Sequence, residues 1–112
     1  MMKLVTALTL AAIVGQPVLA LANEFKPGDR VEGAQPFFMC GAREDLSSIR
    51  ALERAGDKAT ALKVAMQRCE PARPGNRFTV ERAEGDALCI RPVGDAFCLW
   101  TWQSSLQVTP SQ

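Results

Sequence analysis

Ala87-Leu88-Cys89-Ile90-Arg91-Pro92-Val93-Gly94-Asp95-Ala96-Phe97-Cys98-Leu99-Trp100-Thr101-Trp102 reads as two β-strands about a turn. Ala87 to Arg91 is one predicted strand and Ala96 to Trp102 the next, with Pro92-Val93-Gly94-Asp95 as the turn signal. If residues 92 to 95 are the whole loop, Arg91 faces Ala96 and, counting back, Cys89 faces Cys98. Directly opposed residues in an antiparallel pair bring their Cβ atoms close enough to bridge. A slip of one residue would send Cys98 to the other face and spoil the pair. Alternation also puts Trp100 and Trp102 on one face of the last strand, with Phe97 and Leu99 on the other. Both faces are apolar, so one lines the core and the other is either covered by a helical layer or exposed for binding.

Working outward, the preceding strand is Arg77 to Arg82, with Phe78 and Val80 on one side, and Ala83-Glu84-Gly85-Asp86 turns the chain into the hairpin. After Trp102, Gln103-Ser104-Ser105-Leu106 reads as a short helical turn that drops Leu106 back onto the sheet, and Gln107 to Gln112 as a polar, fraying tail. Before the strands lies a helical region, Glu44 to Cys69. Leu46, Ile49 and Leu52 form one apolar stripe, and Ala59, Leu62, Ala65, Met66 and Cys69 continue the helical period. Asp45 or Ser47 can cap the start, and Gly56-Asp57 divides the region into a helix pair or bends a single helix. Pro71 and Pro74 stop it. Further upstream, Lys26-Pro27-Gly28-Asp29 is a turn into an extended stretch at Arg30 to Glu32, which Gly33 and Pro36 interrupt before the apolar run Phe37-Phe38-Met39-Cys40.

The first 22 residues carry a targeting pattern. Met1-Met2-Lys3 is a basic start, Leu4 to Val14 an apolar run, and Ala20-Leu21-Ala22 a small-residue cleavage site. The expectation is a cleaved signal peptide over 1–22 and one small exported domain over 23–112, in the periplasm or outside the cell. Without Lys3 the chain has as many cations as anions, nine of the cations being arginine. Such neutrality, with the arginines interleaved among acids, argues against nucleic acid as a partner. No later segment is apolar enough to span a membrane.

Cys40, Cys69, Cys89 and Cys98 form an even set in a short exported chain, which reads as a disulfide framework. Four cysteines allow three pairings. The hairpin count favours Cys89–Cys98 and leaves Cys40 with Cys69. The second bridge closes the longer loop and is expected to stabilise by about 3–4 kcal/mol. No C-x-x-C pair is present, so neither a thioredoxin-type site nor a zinc site is expected.

The chain contains no histidine and no tyrosine. The commonest general base and metal ligand is therefore missing, and no metal or cofactor is expected. Nucleophilic catalysis by Ser or Cys lacks its usual base. Two acids could in principle hydrolyse a glycoside, with Glu44/Asp45 or Glu81/Glu84/Asp86 as candidates. Acids at a helix start and in turns serve more often as caps and solvated charges. The expected activity is therefore non-catalytic binding. Trp100, Trp102, Arg82 and Arg91 are the candidate contact residues, because Trp and Arg dominate binding hot spots. The competing expectation buries one Trp under the helical layer and the other in the barrel.

Lys26-Pro27-Gly28-Asp29-Arg30-Val31 resembles the opening of SH3-like barrels, and Gly94 through Leu106 resembles their close, a Trp-bearing last strand followed by a short helical turn and an apolar residue. The resemblance implies an α+β domain: a small antiparallel SH3-like sheet or barrel with a helical insertion at about 44–69, stapled by two disulfides. Across such folds function follows the site, so the resemblance implies a binding or accessory module by analogy only. Expected partners are an envelope protein or cell-wall glycan. A small inhibitor of a secreted enzyme, such as a lysozyme or protease, is the alternative, since a stapled domain enters a complex preorganised.

Overall fold

In the computed structural model, residues 25–109 are described; the expected signal segment over 1–22 lies outside them. Seven antiparallel strands form one sheet: β1 (Arg30–Gly33), β2 (Phe37–Cys40), β3 (Cys69–Ala72), β4 (Arg77–Glu84), β5 (Ala87–Pro92), β6 (Leu99–Trp102) and β7 (Leu106–Val108). Their spatial order is β3-β2-β6-β5-β4-β1-β7. The sheet is not closed into a barrel, and β3 and β7 are its edges. Two helices, α1 (Arg43–Arg54) and α2 (Lys58–Arg68), connect β2 to β3. The chain is thus α+β with a helical insertion and two disulfides.

Local sequence explains the joints. Gly28 takes φ +96° in the turn before β1, where Asp29 N–H donates to the Lys26 carbonyl at 3.0 Å. Gly56, at φ +85°, ends α1, and the Asp57 carboxylate accepts from Thr60 N–H at 3.2 Å to cap α2. The helical region is therefore a pair. Its start differs from expectation: Ala42 is the N-cap of α1 and makes no side-chain cap, while Asp45 lies in the first turn and Ser47 further inside. The acids Glu44 and Asp45 still favour that end through the helix dipole.

Three expectations are corrected by tertiary pairing. Cys69 to Ala72 is a strand, not a helix end with a proline stop. Pro71 is tolerated because β3 is an edge and needs no second ladder. The tail is ordered through Val108, because β7 pairs with β1 (Val31 opposite Val108). In α2 the buried residues are Ala61 and Ala65, whereas Leu62 and Met66 are 52% and 68% exposed. Small side chains let α2 approach its neighbours closely, and the larger ones point away.

The sheet carries apolar side chains on both faces. Val31, Phe37, Met39, Ala72, Phe78, Val80, Leu88, Ile90 and Leu106 cluster on the inner face. Phe37 and Phe78 meet edge to face with ring centroids 6.0 Å apart. On the outer face Cys40, Ala87, Cys89 and Trp100 pack under Leu46 of α1, with Ile49 and Trp102 at the margin. Thr101, 1% exposed, points inward and donates its hydroxyl to the Phe38 carbonyl at 3.1 Å, which satisfies both groups.

Candidate functional site

Both tryptophans lie on the outer face. Trp100 is opposite Cys89 on one side and Cys40 on the other, and Cys40 is opposite Cys69. Five strands thus contribute one row: Cys69, Cys40, Trp100, Cys89 and Arg82. Cys40–Cys69 and Cys89–Cys98 are the disulfides, as the cysteine spacing predicts. The hairpin register differs from the count, however. Cys89 is opposite Trp100 rather than Cys98, so the pairing is shifted by two residues and β6 begins only at Leu99. A shift of two preserves the face. Cys98 therefore still reaches Cys89 from the end of the loop, with Cα atoms 5.3 Å apart.

Trp100 is 7% exposed, roofed by α1. The Arg82 guanidinium sits 5.2 Å from its ring centroid and is held by Glu84 at 2.8 Å. Glu84 also takes Arg43 of α1 at 3.3 Å. Trp102 is half-buried and capped by the Arg50 guanidinium, 3.4 Å from its ring centroid. Arg50 in turn pairs with Asp86 at 2.9 Å. The hydrogen bond from Arg50, with its charge and that of Arg54, holds the Asp86 carboxyl below its ordinary value. The expected division of one Trp to the helices and one to a barrel interior is thus replaced: both belong to the helix side, and their flat faces are occupied by this chain's own arginines.

Four of the five candidate acids, all but Glu44, are similarly paired. Glu81 accepts from Arg91, Glu84 from Arg82, Asp86 from Arg50, and Asp45 lies 3.8 Å from Arg68. Among the described residues, no group of three or more His, Cys, Asp or Glu side chains could hold a metal ion.

Beyond Cys89 the outer face changes character. Arg91 of β5 is opposite Thr79 of β4, and Thr79 is opposite Arg30 of β1. Arg77 precedes Thr79 by two residues on the same face. These side chains, with Thr109, Val93 and Gly94, line an open depression of about 350 Å³ that no helix covers. A β-bulge contributes: Val80 is opposite Ile90 but Arg82 is opposite Cys89, leaving Glu81 as the extra residue. Glu81 and Arg82 therefore project on the same face, Glu81 to Arg91 and Arg82 to Trp100.

The loop after β5 rises beside this depression. Its Val93 and Phe97 are 79% and 82% exposed, and Cys89–Cys98 closes it at the base. Of the four residues expected to make contact, Trp100 is roofed by α1 and Trp102 is half-buried, whereas the Arg82 side chain beside Trp100 is 62% exposed and Arg91 lines the open depression. Sequence reasoning missed Arg30, Arg77 and Phe97 as surface groups. The signal for the arginines was present in the alternation Arg77-Phe78-Thr79-Val80, which puts Arg77 and Thr79 outward once Phe78 and Val80 point in. Among the described residues, no helix is long and apolar enough to cross a membrane. No family model, curated protein sequence or solved structure matches this chain.

Proposed function

We propose that this protein is an exported, non-catalytic binding module that recognises an envelope protein or a cell-wall component. The observation that carries the reading is the stapled loop. Phe97 and Val93 stand in solvent at its crest, held by Cys89–Cys98 and flanked by the open arginines. Aromatic residues and arginine are enriched at protein interfaces, and a loop closed by a covalent bridge loses little freedom on binding. Two disulfides fit an oxidising compartment and the signal pattern at the N-terminus. The SH3-like resemblance is supported by the order β1, meander β4-β5-β6, 3-10 turn Gln103–Ser105 and buried Leu106, though the sheet stays open.

The test is affinity capture from envelope extracts, together with co-sedimentation with purified cell-wall sacculi. The same partner should be retained by wild type and by Met66→Ser, and lost with Phe97→Ser. Equal recovery by all three proteins would remove the loop from the interface. The crest of a bridged loop also suits a small inhibitor of a secreted enzyme. That reading requires wild type, but not Phe97→Ser, to suppress a lysozyme or protease in an activity assay.

A further inference from the structure

The open half of the outer face carries three arginines in one depression, Arg30, Arg77 and Arg91. Their spacing follows from the sheet. Arg30 and Arg91 flank Thr79 across two strand pairings, and Arg77 lies one side-chain step along β4. Arg91 is already engaged: its Nε donates to a Glu81 carboxylate oxygen. Arg30 and Arg77 make no salt bridge among the described residues. Glu32 stands opposite Arg77 in the register, but its carboxylate accepts from Gln107 Nε2 at 3.0 Å instead. Asp29, next to Arg30, is likewise turned away, accepting from Lys26 N–H at 2.8 Å. At the far wall, the Thr109 hydroxyl oxygen is buried without a hydrogen-bond partner among the described residues.

We propose that Arg30, Arg77 and Arg91 form a carboxylate-recognition site for an acidic segment of a partner protein; this rests on the binding-module reading and names its partner's chemistry. The side chains present select the class of ligand. The three guanidiniums stand among this chain's own acids, Asp29, Glu32 and Glu81, with Glu70 and Asp95 beside Arg77, and such a surround repels a single carboxylate less than a dianionic phosphate ester. Glu81 on Arg91 is an internal example of the pairing the site offers. Guanidinium forks suit carboxylates geometrically, and Arg30 and Arg77 have no salt-bridge partner among the described residues. Val93 lines the same depression, so an apolar residue beside the acid would add contact area.

The probe is a blocked hexaglutamate peptide titrated into the disulfide-intact protein at low ionic strength and followed by backbone amide shifts. Perturbed amides should cluster at residues 30, 77–79, 91, 93 and 94, and affinity should fall as salt rises. The Arg30→Gln/Arg77→Gln double variant should bind roughly tenfold more weakly, the order expected for charged hydrogen bonds. Lys63→Gln, on the exposed side of α2, should bind like wild type. An equal loss with Lys63→Gln, shifts clustered around Arg50 and Trp102 instead, or tighter binding of inorganic phosphate at the same residues would overturn the proposal. The parent reading fails separately. Shifts confined to the arginine face, with no partner captured from envelope extracts or sacculi, would refute the module reading and leave the carboxylate site intact.

Discussion

The outer face of the sheet has two halves built from the same strands, and they differ in what lies above them. In β5, Ala87 and Cys89 point up under α1, and Arg91, the next residue on that face, lies beyond the helix, half-buried and paired with Glu81 at the open depression. In β4, Arg82 lies against Trp100 within the covered half, whereas Arg77 and Thr79 stand in the open half. Composition changes where the roof ends. Under α1 the sheet offers small, apolar and disulfide-bonded side chains; past it come arginine and threonine. In the covered half arginines stack on tryptophans and are held by carboxylates. In the open half, Arg30 and Arg77 have no salt-bridge partner among the described residues. Arginine content alone therefore does not mark a binding surface: Arg50 and Arg82 are engaged on this chain's own tryptophans and carboxylates.

The sharpest test of that division is Trp100→Ala. It empties the centre of the covered half and should destabilise by about 3–5 kcal/mol, read from denaturant midpoints by circular dichroism. A loss below about 1 kcal/mol would mean that α1 does not seal this face. Replacing Cys40 and Cys69 together by alanine comes next, at about 3–4 kcal/mol for a sequence separation of 29. The corresponding Cys89/Cys98 pair, separated by 9, should cost about 2–3 kcal/mol in the same unfolding experiment. Reversal of that order would show that the short bridge does more than close a loop.

Asp86→Asn addresses the far edge of the covered half and should cost less than about 1 kcal/mol, because the Asp86 carboxylate that pairs with Arg50 is largely exposed. Its pH dependence has a definite sign. The folded carboxyl is held below its ordinary value, so its contribution is present above the unfolded value of 3.8 and is lost as pH falls through the folded one. Wild type and Asp86→Asn should therefore differ by a constant amount above about pH 5 and converge in acid. A difference that grows on acidification would contradict the pairing. The smallest effect belongs to the open half: Arg77→Gln should change stability by no more than about 0.5 kcal/mol in thermal unfolding. A larger loss would mean that Arg77 is part of the packing and not a free surface group.

Much of this fold is legible in the sequence because its signals are local. Lys26-Pro27-Gly28-Asp29 names its turn, Gly56-Asp57 divides the helices, and Phe78 and Val80 declare the inner side of β4. The disulfide pairing is legible too, since two residues of register error leave side chains on the same face. What escapes is whatever depends on a distant partner. Cys69 to Ala72 becomes a strand only because β2 runs beside it, and Leu106 to Val108 only because β1 does. The candidate site was half legible for the same reason. Alternation identifies Trp100, Trp102, Arg82 and Arg91 as sharing a face, but not which of them a helix will cover.

The sequence by itself determined the α+β class, the helical region with its break at Gly56-Asp57, the four-cysteine framework and the lack of a histidine base. Each of these is a matter of composition, periodicity or short-range backbone chemistry. Only the tertiary structure decided that the sheet stays open, that the hairpin register shifts by two, and that α1 roofs both tryptophans and stops short of Arg91. The physical reason is that burial of a sheet face is set by the length and placement of another element, a long-range quantity that no strand encodes on its own.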